Sequence, residues 1–206
     1  MIVPARIPSL IQRLFNKRIW RIETDRRELF LTFDDGPHPR ITSAVLDILK
    51  KHDAKATFFC IGDRVKRFPH IYKRILDEGH AVGNHTMHHL NGWKSGIDEY
   101  CSDVEEAAKY IHSNLFRPPY GRINSKQFKY ISAKEMKTIM WTVLSGDYDS
   151  RLSPREINKR IMRGLQKGNI YLFHDSEKAE VNMMFVLEQF IEYAKNHNYS
   201  FSSIKC

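Results

Sequence analysis

Cysteine is scarce in this chain. Cys60, Cys101 and Cys206 lie far apart, and no C-x-x-C pair occurs. An odd, sparse count suits reduced thiols better than a disulfide framework. Cys60 sits in an apolar run, ATFFCIG, and reads as a core residue without a catalytic role. Long apolar runs are absent too. No stretch approaches the roughly 18 uninterrupted apolar residues of a membrane span. At the N-terminus, Arg6, Arg13, Lys17 and Arg18 interrupt what would be a signal-peptide apolar core. The expectation is a cytoplasmic protein, or one peripheral to the cytoplasmic face of a membrane. Repeats, low-complexity tracts and obvious linkers are lacking as well.

What is there is a basic chain of ordinary globular composition, 206 residues with a formal charge of +9. Residues 1–27 hold seven Lys or Arg against two Asp or Glu, so they carry +5 of that total. No recognised nucleic-acid module or basic stripe with aromatics accompanies the charge, which argues against a nucleic-acid partner. Attraction to anionic lipid or an acidic polymer is the softer implication. Two units are expected, a basic amphipathic segment over 1–27 and one catalytic domain over 28–206. In the first, Ile7, Leu10, Ile11, Leu14 and Phe15 recur at helical spacing with cations on the other face. Such a helix either packs on the domain and closes one end of a barrel, or rests on anionic membrane.

Short apolar runs alternate with helical periods along the rest of the chain. Strands are expected at 29–34, 56–62, 80–85, 115–118, 138–143, 169–174 and 200–204. Helix signals separate most of them. Pro69, Ile71, Ile75 and Leu76 end at Gly79; Ser153 and Glu156 form a capping box with Pro154 at the first helical position, for a helix expected to close at Gly168. Val181, Met184, Phe185 and Ile191 mark the apolar face of the last helix, with Glu188 off the pattern. Seven strands alternating with helices predict an α/β protein with a parallel sheet, open or closed into a barrel.

The polar residues that break this pattern cluster at strand C-termini. Asp34 and Asp35 end the first strand in LFLTFDDGP; His85 ends the third, Arg117 the fourth, and Asp147 follows the fifth. His174 and Asp175 end the sixth. Parallel α/β folds build their ligand sites at that rim, so five strands delivering ionisable groups there predict a catalytic centre. Two histidines and one aspartate make the donor set of a catalytic zinc with an open position for water. His85 is one nitrogen ligand; spacing leaves His88 and His89 as rivals for the other. A bound cation also explains two adjacent carboxylates, which otherwise repel.

These motifs resemble the polysaccharide deacetylases of the NodB-homology type, carbohydrate esterase family four, from Leu29 to the C-terminus. TFDDGP is 32–37, H-[ST]-x-x-H is 85–89, and R-x-P-Y is 117–120. The fourth motif is only partly met by 145–148, and the fifth ends at His174. The resemblance implies a distorted (β/α) barrel of about seven parallel strands, the NodB-like deacetylase fold. It implies a divalent metal, zinc first with cobalt or nickel as alternatives, held by Asp35, His85 and His89. It makes Asp34 the base, Arg117 its partner, His174 the acid, and Asp147 the residue that orients that machinery. Tyr120 supplies an oxyanion N–H, and Leu172 and Tyr148 line the acyl pocket. Many members have tryptophan where this chain has Tyr148, which bears on acyl preference. The expected activity is metal-dependent removal of N-acetyl groups from peptidoglycan, chitin-like oligomers or a glycan precursor. Alternatives are deformylation or deacylation of another amide, such as a lipid-linked amino sugar, and a non-catalytic carbohydrate-binding barrel.

Overall fold

The computed structural model describes residues 4–205. Three long strands form the centre of a parallel sheet: β1 (Glu28–Asp34), β2 (Ala56–Cys60) and β7 (Ile170–His174). Outward from β2 lie β3 (Ala81–Asn84), β4 (Leu115–Phe116) and β5 (Lys137–Thr138), and beyond β7 lies β6 (Val143–Leu144). The order is β5-β4-β3-β2-β1-β7-β6, all pairs parallel. A short β8 (Ser200–Phe201) pairs with the first two residues of β1. This is the expected α/β barrel, curled and incomplete.

One expected strand divides. The apolar run 138–143 reads as a single strand, but its ends belong to β5 and β6 at opposite edges of the sheet. Residues 139–142 cross between the edges, with their backbone groups bonded to neighbours on several sides. The Ile139 N–H donates to Phe116 O at 2.8 Å, Met140 N–H to Ile19 O at 2.7 Å, and Thr142 N–H to Ile170 O at 3.0 Å. The N-terminal segment lies along this crossing through bridges from Arg6 to Val143 and Ile19 to Ile139. Its helix α1 (Ser9–Leu14) has no buried residue.

Strand alternation sorts the side chains into two layers. Leu29, Leu31 and Phe33 of β1 and Tyr171 and Phe173 of β7 face outward into the main core. There they meet α2 (Ile41–Lys51) and α8 (Glu180–Asn196). Phe30, Phe59, Leu115, Ile139, Ile170 and Ile204 fill the barrel interior. Above that apolar floor the inward face continues as Thr32, Asp34, Leu172 and His174 towards the rim.

The last helix buries Met183, Val186, Leu187, Phe190, Ile191 and Ala194. The expected face is therefore displaced, since Val181 and Phe185 point to solvent. That helix is apolar on most sides, and packing against β7 and α7 (Pro154–Met162) selects the stripe. The Ser153–Glu156 capping box is present, but α7 ends at Met162, short of Gly168, where the chain turns out at a left-handed Gly164. Cys60 and Cys101 are free and buried; Cys206 lies outside the described residues. No helix among the described residues is long and apolar enough to cross a membrane.

Candidate active site

Asp34 and Asp35 leave β1 in different directions because Asp35 takes a left-handed backbone, φ 85°. Asp34 stays on the inward face, and Asp35 swings over the rim. Asp175 supports the turn from beneath, accepting hydrogen bonds from the Gly36 N–H at 3.0 Å and from the Thr42 hydroxyl. A Cβ at position 36 would lie 2.0 Å from the Asp175 carboxylate, so only glycine allows this seat. Burial pushes the Asp175 carboxyl up to about 7. The sequence placed Asp175 at a strand end but did not reveal this supporting role.

The second motif forms a loop pinned by buried polar groups. Thr86 and His89 are both left-handed, φ 66° and 58°. The Thr86 hydroxyl accepts from the Leu90 N–H at 3.1 Å, and Asn84 Oδ1 accepts from the Thr86 N–H at 2.8 Å. Asp103, on α5 (Ile97–Ala108), accepts from the Met87 and His88 N–H groups and holds the His88 ring. His88 is thereby turned away from the rim. His89 instead faces Asp35, with Nε2 3.2 Å from Oδ1.

Asp35, His85 and His89 each bring one donor atom within 4.8 Å of the other two. His85 Nδ1 lies 2.7 Å from the Arg117 carbonyl, so that nitrogen carries the proton and Nε2 presents its lone pair to the cluster. Burial pulls the His85 pKa down to about 4, which keeps the ring neutral. For Asp35, burial acts upward, but the His89 hydrogen bond and the charge on His174 hold its carboxyl well below the usual range. Two imidazole nitrogens and one carboxylate oxygen on a compact face fit a divalent cation.

Asp34 and His174 stand at two sides of that cluster. Arg117 is fully buried and spends its guanidinium on four acceptors: Asp34 Oδ1 at 2.7 Å, Thr32 Oγ1 at 2.7 Å, Ile139 O at 3.1 Å and Met140 O at 2.8 Å. Thr32, absent from the sequence-derived set, is thus part of the base's support. On the other side, Asp147 is wholly buried and accepts from both His174 Nδ1 and the His174 N–H, each at 2.8 Å. Burial opposes the charged imidazole, but Asp147 outweighs it and pushes His174 up to about 9.

The remaining expected residues are close by. Tyr148 sets its ring edge against His174, centroids 5.1 Å apart. Leu172 is buried one strand pitch below His174 on the same inward face. Tyr120 packs its ring 4.6 Å from that of His89, and its left-handed backbone leaves its N–H without a partner among the described residues. The rim therefore gathers all ten residues the sequence singled out.

The family model for polysaccharide deacetylase matches residues 21–139. The chain belongs to that family. It is 32% identical over 191 residues to a peptidoglycan-N-acetylglucosamine deacetylase of Bacillus cereus, covering 90% of each chain. It is 33% identical over 162 residues to a chitooligosaccharide deacetylase of Azorhizobium caulinodans, covering 75% of this chain and 77% of that one. Other relatives are longer, and the chain spans 57% and 41% of two of them. Among solved structures, a peptidoglycan N-acetylglucosamine deacetylase bound to an N-hydroxybenzamide superposes with a TM-score of 0.86 at 28% identity, covering 96% and 95% of the two chains. A family-four pseudoenzyme from Bacillus anthracis superposes at 0.80 with 30% identity, covering 91% of this chain and 67% of that one. The chain is a carbohydrate deacetylase by class, of a family that is metal-dependent in general. Its candidate metal site is the Asp35–His85–His89 cluster.

Proposed function

We propose that this protein hydrolyses the N-acetyl amide of N-acetylated amino sugars in a glycan, with zinc at Asp35, His85 and His89. The observation that carries this reading is the intact opposition of two proton-handling pairs, Arg117–Asp34 and Asp147–His174, across one three-donor cluster. A pseudoenzyme of the same fold makes the completeness of that set the deciding point, because function follows the site and not the barrel.

Asp35, His85 and His89 would hold a divalent ion, which would supply Lewis-acid polarisation of the acetamide carbonyl and a more acidic water. Asp34 takes the proton the attacking water gives up, aimed by Arg117. The free Tyr120 N–H donates to the oxygen on which charge develops. His174 holds its Nδ1 proton on Asp147, so its Nε2–H is the one delivered to the departing amine, which cannot leave as an amide anion near neutral pH. Leu172 and the Tyr148 ring wall the space beside His174 where a small acyl group fits. The Tyr148 hydroxyl in that wall is the feature that favours testing formyl beside acetyl.

The N-terminal helix supports contact with an anionic lipid surface. Leu10 and Leu14 are 76% and 73% exposed, and the exposed Arg13 and Lys17 flank them, so apolar insertion and charge attraction act on one patch.

The test of the activity is acetate release from N-acetylglucosamine oligomers by chelated and zinc- or cobalt-reconstituted protein, beside Asp34→Asn and His174→Ala. Metal-dependent release lost in both variants is the expected result. Release that survives in either variant, or that ignores metal, defeats the mechanism.

A further inference from the structure

Beyond the cluster the same two loops continue side by side and end in a feature the chemistry above does not use. His89 packs on Tyr120 at one point; four residues after His89 and two after Tyr120, the Arg122 guanidinium lies over the Trp93 ring, 5.0 Å from its centroid. Trp93 is 68% exposed, whereas Trp20 is 8% exposed. Large indoles are normally buried for the apolar area they remove from water.

This exposed ring stands on a fixed backbone. Gln127, fully buried on α6 (Ser125–Ala133), donates from Nε2 to Gly92 O at 3.0 Å and Ser95 O at 3.3 Å, on either side of Trp93. Its Oε1 accepts from the Asn124 N–H at 3.0 Å, which ties the Trp93 loop to the Arg122 loop. A Cβ at Gly92 would come within 2.5 Å of the Arg122 carbonyl, so the two loops are in backbone contact. Asn91 Oδ1 also accepts from the Trp93 N–H at 3.0 Å. A flexible loop with a stray tryptophan needs none of this support.

Arg122 has no carboxylate partner among the described residues; its contact is the indole. Stacking on an aromatic face leaves the edge of the guanidinium fork open for bidentate hydrogen bonds to a carboxylate. Four residues of chain extend at most about 14 Å, so Trp93 is within reach of a sugar next to, or one beyond, the sugar reacting at the cluster.

We propose that Trp93 and Arg122, continuing the Tyr120 ring outward, form a glycan subsite. The C–H face of a neighbouring pyranose stacks on the indole, and Arg122 binds a carboxylate carried by that sugar. This rests on the deacetylase reading and narrows it: the substrate is an acidic glycan with carboxylate-bearing sugars beside N-acetylated ones, in preference to a neutral homopolymer. The net charge of +9 favours the same class.

Calorimetric binding to metal-loaded Asp34→Asn protein tests the subsite without turnover. The probes are a neutral N-acetylglucosamine oligomer and a peptide-free glycan of equal length whose alternate sugars carry lactyl carboxylates. Trp93→Ala in that background is expected to weaken both about tenfold, with Trp93→Phe recovering most of the loss. Arg122→Gln is expected to reduce the preference for the acidic glycan about tenfold. In the enzyme with Asp34 intact, Trp93→Ala should act mainly on KM. Unchanged binding in Trp93→Ala overturns the subsite, and equal affinity of the Asp34→Asn parent for the two glycans overturns the role of Arg122. Binding that depends on Trp93 in a protein with no hydrolytic activity would uphold the subsite and sink the deacetylase reading. An active enzyme indifferent to Trp93 would do the reverse.

Discussion

Replacing Asp147 by asparagine isolates one part of the site, because it keeps the shape and removes the charge that His174 faces. In the native site His174 is pushed up to about 9 despite its burial. Against an ordinary histidine near 6.5, that displacement corresponds to about 3 kcal/mol in favour of the imidazolium. Without that carboxylate, burial pulls the ring down against only the weaker pull of the Asp35 and Asp34 charges, and it is expected to titrate near its ordinary value of about 6.5. At about pH 7.5 the protonated fraction then falls from nearly all to roughly a tenth; at about pH 8.5 it falls from three quarters to roughly a hundredth. If His174 delivers the proton to the amine, the deficit in kcat/KM is about tenfold at the first pH and approaches a hundredfold at the second. Below about pH 6 it narrows to whatever orientation costs. The assay is acetate release across that range, with zinc saturating. The basic limb should move downward by two units or more. A variant whose basic limb stays where the wild type's is, however slow it has become, refutes the assignment of His174 as the acid.

Other perturbations separate further parts. Arg117→Met leaves a buried carboxylate and two backbone carbonyls without their donor, so it should cost about 3–5 kcal/mol, roughly 10 °C in Tm by thermal melting; Asp34→Asn should leave Tm within a few degrees while losing about 10²–10⁴ in kcat. His89→Ala should abolish stoichiometric zinc by elemental analysis, and His88→Ala should retain it; loss of zinc in the second alone would reverse the ligand choice. Asp175 has its folded pKa raised from 3.8 to about 7, so its contribution to stability is complete below about pH 4 and is lost as pH rises towards 7. Asp175→Asn should flatten that fall in Tm; an unchanged slope would show that Asp175 is not its source. Leu10→Glu with Leu14→Glu should abolish co-sedimentation with anionic vesicles at low salt, and a wild-type protein that ignores such vesicles would end the lipid proposal.

The rim was legible in the sequence because carboxylates, histidines and an arginine collect at the C-terminal ends of strands that are otherwise buried. Asp34, Arg117 and His174 each follow a buried phenylalanine, and His85 follows Val82, Gly83 and the buried Asn84. The choice between His88 and His89 was not legible from spacing, since it depends on Asp103, a buried acceptor brought in from α5. The run 138–143 was misread as one strand because hydrophobic pattern records burial and not which sheet edge supplies the partner. In α8, Val181, Met184 and Phe185 compete with Met183, Val186 and Leu187 for the inner face, and only the facing strand decides. The supporting roles of Thr32, Asp175 and Gln127 were not legible for a common reason. Each acts through hydrogen bonds to residues distant in sequence, and a Thr, Asp or Gln in isolation carries no mark of that.

Arg117 shows why fold and chemistry are hard to separate here. Its Nε and one Nη bind the carbonyls of Ile139 and Met140, in the segment that crosses from one sheet edge to the other. The remaining Nη binds Thr32 and Asp34 on the central strand. A barrel closed by four residues of irregular chain has backbone acceptors at its seam that no strand can satisfy, and a buried unpaired carbonyl is costly. A guanidinium meets that need with donors to spare, and the surplus points at the one carboxylate on the inward face of β1. The charge opposite the base is therefore also a component of barrel closure. Variants at Arg117 should never lose activity without losing stability, whereas variants at Asp34, His174 and Asp147 can. A pseudoenzyme of this family is then expected to depart at the carboxylates and histidines of the rim while keeping its seam arginine.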